Sequence, residues 1–207
     1  QAWAAPALAF MVTLAVDELK TEADQHLLTK TDPETIAWSS IASEGSLNDF
    51  STLTLDPDPD KRAKAYLNAK QGEELNLDEA EIAAFNSMKI TSGESAAGVV
   101  GPAVSHQLLD RFQSYRQKGL AGIAPYERQK GKTTSAADDL KSATESLSLL
   151  REALPGLYKI LLSYPNDKPE GLEESFMWSN YTAHGEPVFI LTHDFSFTDG
   201  DAFVIVQ

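Results

Sequence analysis

The sequence predicts an α+β fold: a helix-rich single domain packed on a small antiparallel sheet, with a C-terminal β-hairpin. Two features support this class. Apolar residues recur at helical spacing through residues 102–162, whereas the residues that follow change to the two-residue alternation of strands. A run of helices followed by strands is typical of α+β proteins, whose helices and strands do not alternate along the chain.

The N-terminal segment differs in composition from the rest of the chain. Residues 1–16 are almost entirely apolar and are expected to be a signal remnant, a membrane anchor or a buried helix, and residues 17–207 are expected to form the domain. The chain begins with Gln1 and ends within an apolar strand. We therefore expect a longer natural polypeptide, truncated here at its C-terminal end.

The first half of the domain has short elements. Helix formers and acids fill residues 17–30, and a strand is predicted for Ile36 to Ile41. The turn Asp56-Pro57-Asp58-Pro59-Asp60 should stop regular structure, because a proline disfavours helix in the residue before it. A helix is predicted to follow over residues 61–70.

Capping signals predict the central helices. Asn76 and Glu79 have capping-box spacing for a helix that ends near Met88. Residues 92–101 are small and contain glycine, so we expect a loop there, with Pro102 at the first position of the next helix. That helix should run to Lys118, with Gly119 as its C-terminal cap.

Two further helices are predicted before the strands begin. Ser135 is expected to cap an amphipathic helix that reaches Leu150, and Pro155 is expected to open a short helix through Leu162.

The C-terminal residues are expected to form a hairpin. Residues 186–197 and 202–207 favour strands, and Asp199-Gly200 between them is typical of a two-residue type I′ turn. That turn would place Phe195 opposite Val204 and His193 opposite Val206.

The predicted hairpin has an apolar face that contains one histidine. His193 is either a core histidine bonded to the backbone or a neighbouring hydroxyl, or a polar group that orients a ligand in an apolar cavity. The residues expected to line such a cavity are Trp178, Phe189, Leu191, His193, Phe195 and Val204.

Composition excludes several classes of function. The 31 acidic residues outnumber the 17 lysines and arginines, and the resulting formal charge of −14 argues against nucleic-acid binding. The absence of cysteine excludes disulfides and thiol nucleophiles. The four histidines lack metal-site spacing, and prolines interrupt the calcium-loop-like run from Asp56 to Asp60. No catalytic residue, metal ligand or cofactor is predicted.

Charge is unevenly distributed along the chain. Residues 111–132 are basic, whereas residues 1–60 and 164–207 are acidic. The basic segment either forms ion pairs with the acidic flanks or docks an anionic partner or membrane surface. The candidate docking residues are Arg111, Arg116, Lys118, Arg128, Lys130 and Lys132.

Several short sequence segments, taken in their order along the chain, resemble those of a group of exported bacterial proteins with no assigned activity. They include Asp32 to Ile36, Leu53 to Pro57, Leu108 to Arg128, Phe176-Met177-Trp178 and Pro187 to His193. The resemblance implies a START-like or Bet v 1-like grip around an apolar cavity. Members of the group carry a cysteine pair where this chain has Ala69 and Glu73, so any role of those cysteines is absent here.

These observations lead to three hypotheses. The first is a non-enzymatic exported protein, in a bacterial periplasm or at the membrane periphery, that binds an apolar small molecule or lipid. The second is a structural or accessory subunit of a membrane-associated assembly, with the apolar N-terminus and the open final strand as protein contacts. The third is a hydrolase that uses His193 or His184 with a carboxylate.

Overall fold

The computed structural model describes residues 32–72, 75–183, 185–196 and 202–206. Within these residues the helices are α1 (Pro59–Leu67), α2 (Glu79–Ser87), α3 (Ala96–Lys118), α4 (Ala136–Ser146), α5 (Ser148–Ala153) and α6 (Pro155–Ser163). The strands are β1 (Thr35–Ile41), β2 (Tyr126–Arg128), β3 (Lys132–Thr134), β4 (Glu173–Ala183), β5 (Glu186–Ser196) and β6 (Ala202–Val206). The predicted α+β class and C-terminal hairpin are confirmed. The expectations for residues 1–16 and 17–30 and for the Asp199-Gly200 turn lie outside the described residues.

The main sheet is antiparallel, in the order β1-β4-β5-β6, and β2 pairs with β3 in a separate ribbon. Strand β4 pairs with a neighbour on each edge, and its residues 176–180 are all buried. Burial of consecutive residues shows that both faces of β4 are covered, because successive side chains point to opposite faces. Phe176 pairs with His193, and Asn180 pairs with Phe189, so these four residues share one face.

The predicted register of the C-terminal pair is wrong by one residue. Phe195 pairs with Phe203, and Val204 pairs with Asp194 instead of Phe195. His193 pairs with Ile205 instead of Val206. The physical reason is that β6 is apolar at every position, so alternation places no constraint on its register. The prediction depended on the turn alone.

The start of the long helix α3 also differs from the prediction. The helix begins at Ala96, the Ser95 hydroxyl accepts a hydrogen bond from the Gly98 amide, and Pro102 lies inside the helix. A proline normally disfavours helix in the preceding residue, because its ring clashes with that residue's Cβ. Residue 101 is a glycine, which has no Cβ. The helix therefore continues through a position that was expected to start it.

The observed ends of the other helices agree with the predicted caps in some cases and differ from them in others. Asp78, not Asn76, caps α2, and its capping box is completed by Glu81. Ser135 caps α4 as predicted, but that helix ends at Ser146 and α5 follows as a separate helix. The opening of α6 at Pro155 is confirmed.

The helices α1 and α3 pack against the face of the sheet that carries Phe176 and His193. Phe112 of α3 meets the Phe176 ring edge-on, with ring centres 5.3 Å apart, and Val100 and Val104 of the same helix are fully buried. Trp178 is completely buried on this face, and its indole N–H donates to the Asp49 carbonyl at 2.8 Å. Among the described helices, none has the length and apolar character needed to cross a bilayer.

Gly119, the confirmed C-terminal cap of α3, offers a test of this packing. Its φ is +59°, and a Cβ at this position would lie 2.0 Å from the Tyr164 carbonyl oxygen. We expect Gly119→Ala to lower the free energy of unfolding by about 2–4 kcal/mol, because backbone strain and a steric clash add together. Urea denaturation measures this loss.

Gly131→Ala is the matched control. Gly131 has a φ of +66° but open space around its Cβ position, so the substitution carries the backbone strain without the clash. Its cost should be about 1–2 kcal/mol. Equal losses for the two variants would contradict the close approach of Tyr164 to the end of α3.

Candidate functional site

The residues predicted to line a cavity are packed in the core. The exposed fractions of Trp178, Leu191, His193 and Phe195 are 0%, 7%, 2% and 3%, and Phe189 is half-buried against them. Val204 pairs with Asp194, so its register position lies on the opposite face of the sheet from that of His193.

Four aromatic rings surround His193. The Phe176 ring stacks on the imidazole at 4.4 Å, and the rings of Tyr164, Phe195 and Tyr115 have centres 5.0, 5.1 and 5.7 Å from it. These separations are ordinary contact distances between packed rings. No ligand-sized space separates the imidazole from these four described side chains.

The hydrogen bonds of His193 indicate its tautomer. Its Nδ1 lies 2.9 Å from the Tyr115 hydroxyl, and its Nε2 lies 3.3 Å from Oε1 of Glu174 without forming a hydrogen bond. An unprotonated Nε2 would place its lone pair against the negatively charged carboxylate oxygen, which is unfavourable. We therefore assign the ring proton to Nε2, which leaves Nδ1 to accept a hydrogen bond from the Tyr115 hydroxyl. His193 thus corresponds to the first sequence interpretation, a core histidine bonded to a neighbouring hydroxyl.

Glu174 links this cluster to the surface. Arg116 Nη1 and Lys168 Nζ lie 3.1 and 2.5 Å from its carboxylate oxygens, and Arg116 also donates to the Tyr164 hydroxyl. Burial raises the pKa of the Glu174 carboxyl, but favourable interactions with His193, Lys168 and Tyr164 outweigh it and lower the pKa to about 2. Burial lowers the pKa of His193, and the nearby Glu174 charge opposes that effect only partly.

The burial and contacts of His193 and Glu174 are more typical of a structural cluster than of a catalytic site. Glu174 comes from β4, two residues before the partner of His193, so sequence reasoning needed the β4–β5 register to find it. His193 is 2% exposed and both of its ring nitrogens face protein groups. A hydrolase base must reach the proton that it removes. His184, the other histidine of that hypothesis, lies outside the described residues.

The candidate docking arginines contact other parts of this chain. Arg111 binds Glu81 through two hydrogen bonds of 2.7 and 2.6 Å, and Arg116 binds Glu174. Arg128 donates to the Asn76 side chain at 2.8 Å. The lysines of the set, Lys118, Lys130 and Lys132, are exposed.

A different concave surface lies between α2 and α3. This α2–α3 cleft has a volume of about 610 Å³ and is open to solvent. Its apolar lining comes from both helices and from the segment after α3: Ala80, Ala84, Phe85, Met88, Ala103, Ile123 and Ala124. Its polar lining consists of Asp78, Glu81, His106, Gln107, Asp110, Arg111, Ser114 and Tyr126, and Gly122 completes it.

Sequence reasoning missed the cleft. The available signal was the pair Ala80 and Ala84, four residues apart and therefore on one face of α2. Small side chains on a helix face leave space beside a neighbouring helix, but the sequence alone does not show which helix that is. Within the described residues, no group of three or more histidine, aspartate or glutamate side chains could hold a metal ion.

No model of a protein family, no curated protein and no solved structure matches this chain. The resemblance to exported bacterial proteins and the START-like fold that it implies therefore stay predictions.

Tyr115→Phe tests the buried hydrogen bond. We expect the free energy of unfolding to fall by about 1–3 kcal/mol, because the lone pair of His193 Nδ1 would be buried without a donor. Tyr181→Phe is the control: it removes a 2.7 Å bond to Glu34 at an exposed position, where water replaces the lost partner. Equal losses in urea denaturation would contradict the role given to Tyr115.

Acidification should destabilise the fold in two steps. Because burial lowers the pKa of His193, the unfolded chain takes up a proton first, and stability is lost as the pH falls through about 6.5. Because the pKa of Glu174 is lowered to about 2, its contribution is lost between about pH 4.5 and 2. Denaturant unfolding from pH 8 to 3 follows both losses.

Two glutamine variants distinguish the contributions of two histidines to the first of these pH-dependent losses. His193→Gln should remove the first step, whereas replacement of the exposed His106 by glutamine should retain it. An unchanged first step in His193→Gln would show that another group causes it.

Proposed function

We propose that this protein is a non-enzymatic binding protein whose ligand is a small molecule with an apolar body, held in the α2–α3 cleft. The observation that supports the proposal is the size of the cleft. Its volume of about 610 Å³ falls within the roughly 300–1,000 Å³ of small-molecule sites.

The composition of the cleft favours an apolar ligand body. Phe85 of α2, Met88 directly after that helix and Ile123 after α3 present ring, thioether and aliphatic surfaces, and the alanines of the lining add methyl groups. Displacing water from such surface contributes about 25 cal/mol per Å² buried. Polar groups at the same site can then fix the orientation of the ligand.

Two observations favour binding over catalysis. The Ser114 hydroxyl in the cleft donates to the Gly122 carbonyl at 2.8 Å, so it serves the local fold and is not paired with a base. The buried His193 and the half-buried Glu174 contact helix α3 and each other, and neither residue lines the cleft. The hypothesis of an apolar ligand is therefore kept, and its site is moved from the hairpin to the helices.

Blocking the cleft tests the proposal. Ala84 is exposed and lines the cleft, so Ala84→Trp should fill the space without disturbing the core. With hexan-1-ol as a neutral probe, we expect saturable amide shifts at Ala103 and Ile123 in the wild-type protein, followed by two-dimensional NMR. The variant should bind measurably more weakly, because the added indole ring would occupy part of the 610 Å³ and cover part of its apolar lining.

The neighbouring residue supplies the matched control. Ala83 is exposed on the same helix but is not part of the cleft lining, so Ala83→Trp adds an identical ring outside the site. It should leave hexan-1-ol binding unchanged. If the wild-type protein shows no saturable shifts, or if Ala84→Trp leaves them intact, the proposed function is wrong.

A further inference from the structure

We infer that the ligand of the α2–α3 cleft is cationic: an ammonium group on its apolar body would bind the carboxylate of Asp110. This inference rests on the proposed function and specifies the chemical class of the ligand. It depends on which charges of the cleft are already neutralised within the protein.

The charged side chains of the cleft favour cations. Three carboxylates, those of Asp78, Glu81 and Asp110, accompany one guanidinium, that of Arg111, so the lining has a formal charge of −2 when His106 is counted as neutral. The whole chain has a formal charge of −14, which adds a long-range attraction for cations and repels anions.

The carboxylate of Glu81 is engaged. Its two oxygens accept hydrogen bonds from Nε and Nη2 of Arg111, at 2.7 and 2.6 Å. Burial raises the pKa of Glu81, but the bonds and charge of Arg111 outweigh it and keep that pKa below its usual value. The pair is therefore charged on both sides, and each charge compensates the other.

The carboxylate of Asp78 also has a local role. It accepts a hydrogen bond of 2.8 Å from the Glu81 amide and caps the N-terminus of α2. A negative group at that position is stabilised by the positive end of the helix. A ligand cation would have to compete with this interaction.

Asp110 differs from these two carboxylates. Its side chain is exposed on the cleft side of α3, and within the described part of the chain it forms no ion pair. His106 and Ser114 lie one helical turn before and after it and also line the cleft. An ammonium group at Asp110 would thus leave the rest of the ligand beside the apolar lining.

Three six-carbon probes isolate the contribution of charge: hexylammonium, hexan-1-ol and hexanoate. Two-dimensional NMR titration at pH 8 and low ionic strength gives each dissociation constant from the cleft amides. We expect hexylammonium to bind up to about fivefold more tightly than hexan-1-ol, the upper end of the range of a solvent-accessible ion pair, and hexanoate to bind most weakly.

Asp110→Asn should abolish the difference between hexylammonium and hexan-1-ol. Asp139→Asn is the matched control, because it removes one negative charge from an exposed position on α4, outside the cleft lining. It should preserve the preference for the ammonium probe. An equal effect of the two variants would overturn the assignment to Asp110, since overall charge would then explain the preference.

The inference and the proposed function fail in different ways. If hexan-1-ol binds in the cleft as tightly as hexylammonium, the cationic ligand class is overturned and the proposed function stands. If hexan-1-ol gives no saturable shifts of the cleft amides, the proposed function is overturned, and the inference that rests on it is overturned with it.

Discussion

Two buried polar contacts determine how the helices sit on the sheet. Arg62 of α1 donates to the Asn180 side chain of β4 at 2.8 Å, and Tyr115 of α3 bonds His193 of β5 at 2.9 Å. Apolar surfaces tolerate small displacements, but a buried polar group without its partner costs about 1–3 kcal/mol. Because these contacts join different helices to different strands, a slide of either helix would leave polar atoms unpaired in the core.

The α2–α3 cleft follows from this arrangement. Helix α3 is held on the sheet. Helix α2 is attached to α3 through the ion pair of Glu81 with Arg111, and to α1 through the Phe85 ring, which packs 4.7 Å from Tyr66. Between these attachments the α2 surface presents the small side chains Ala80 and Ala84. The long side chains of Glu81 and Arg111 hold the two helices apart, and the short alanine side chains do not fill the space between them. A groove therefore remains.

Local rules predicted several helix ends, and long-range pairing limited the rest. The caps at Gly119 and Ser135 and the start at Pro155 were predictable because each depends on neighbouring residues. The β5–β6 register was not, because β6 is apolar at every position. Alternation placed His193 on an apolar face, but its partners Tyr115 and Glu174 come from distant elements, and only the tertiary fold brings them together. The cleft was missed for the same reason.

The basic segment shows why charge counted along the chain differs from charge in space. Arg111 and Arg116 suggested a surface for anions, yet their partners Glu81 and Glu174 lie 30 and 58 residues away. Folding therefore pairs two of the three arginines in residues 111–132 with carboxylates, whereas Arg128 bonds neutral groups and the lysines of the segment stay exposed. At the cleft, Arg111 neutralises the carboxylate of Glu81. The carboxylate of the preceding residue, Asp110, stays exposed. The cleft lining therefore has a net negative formal charge although the segment that begins at Arg111 is basic in sequence, because ion pairing decides which charges still face solvent.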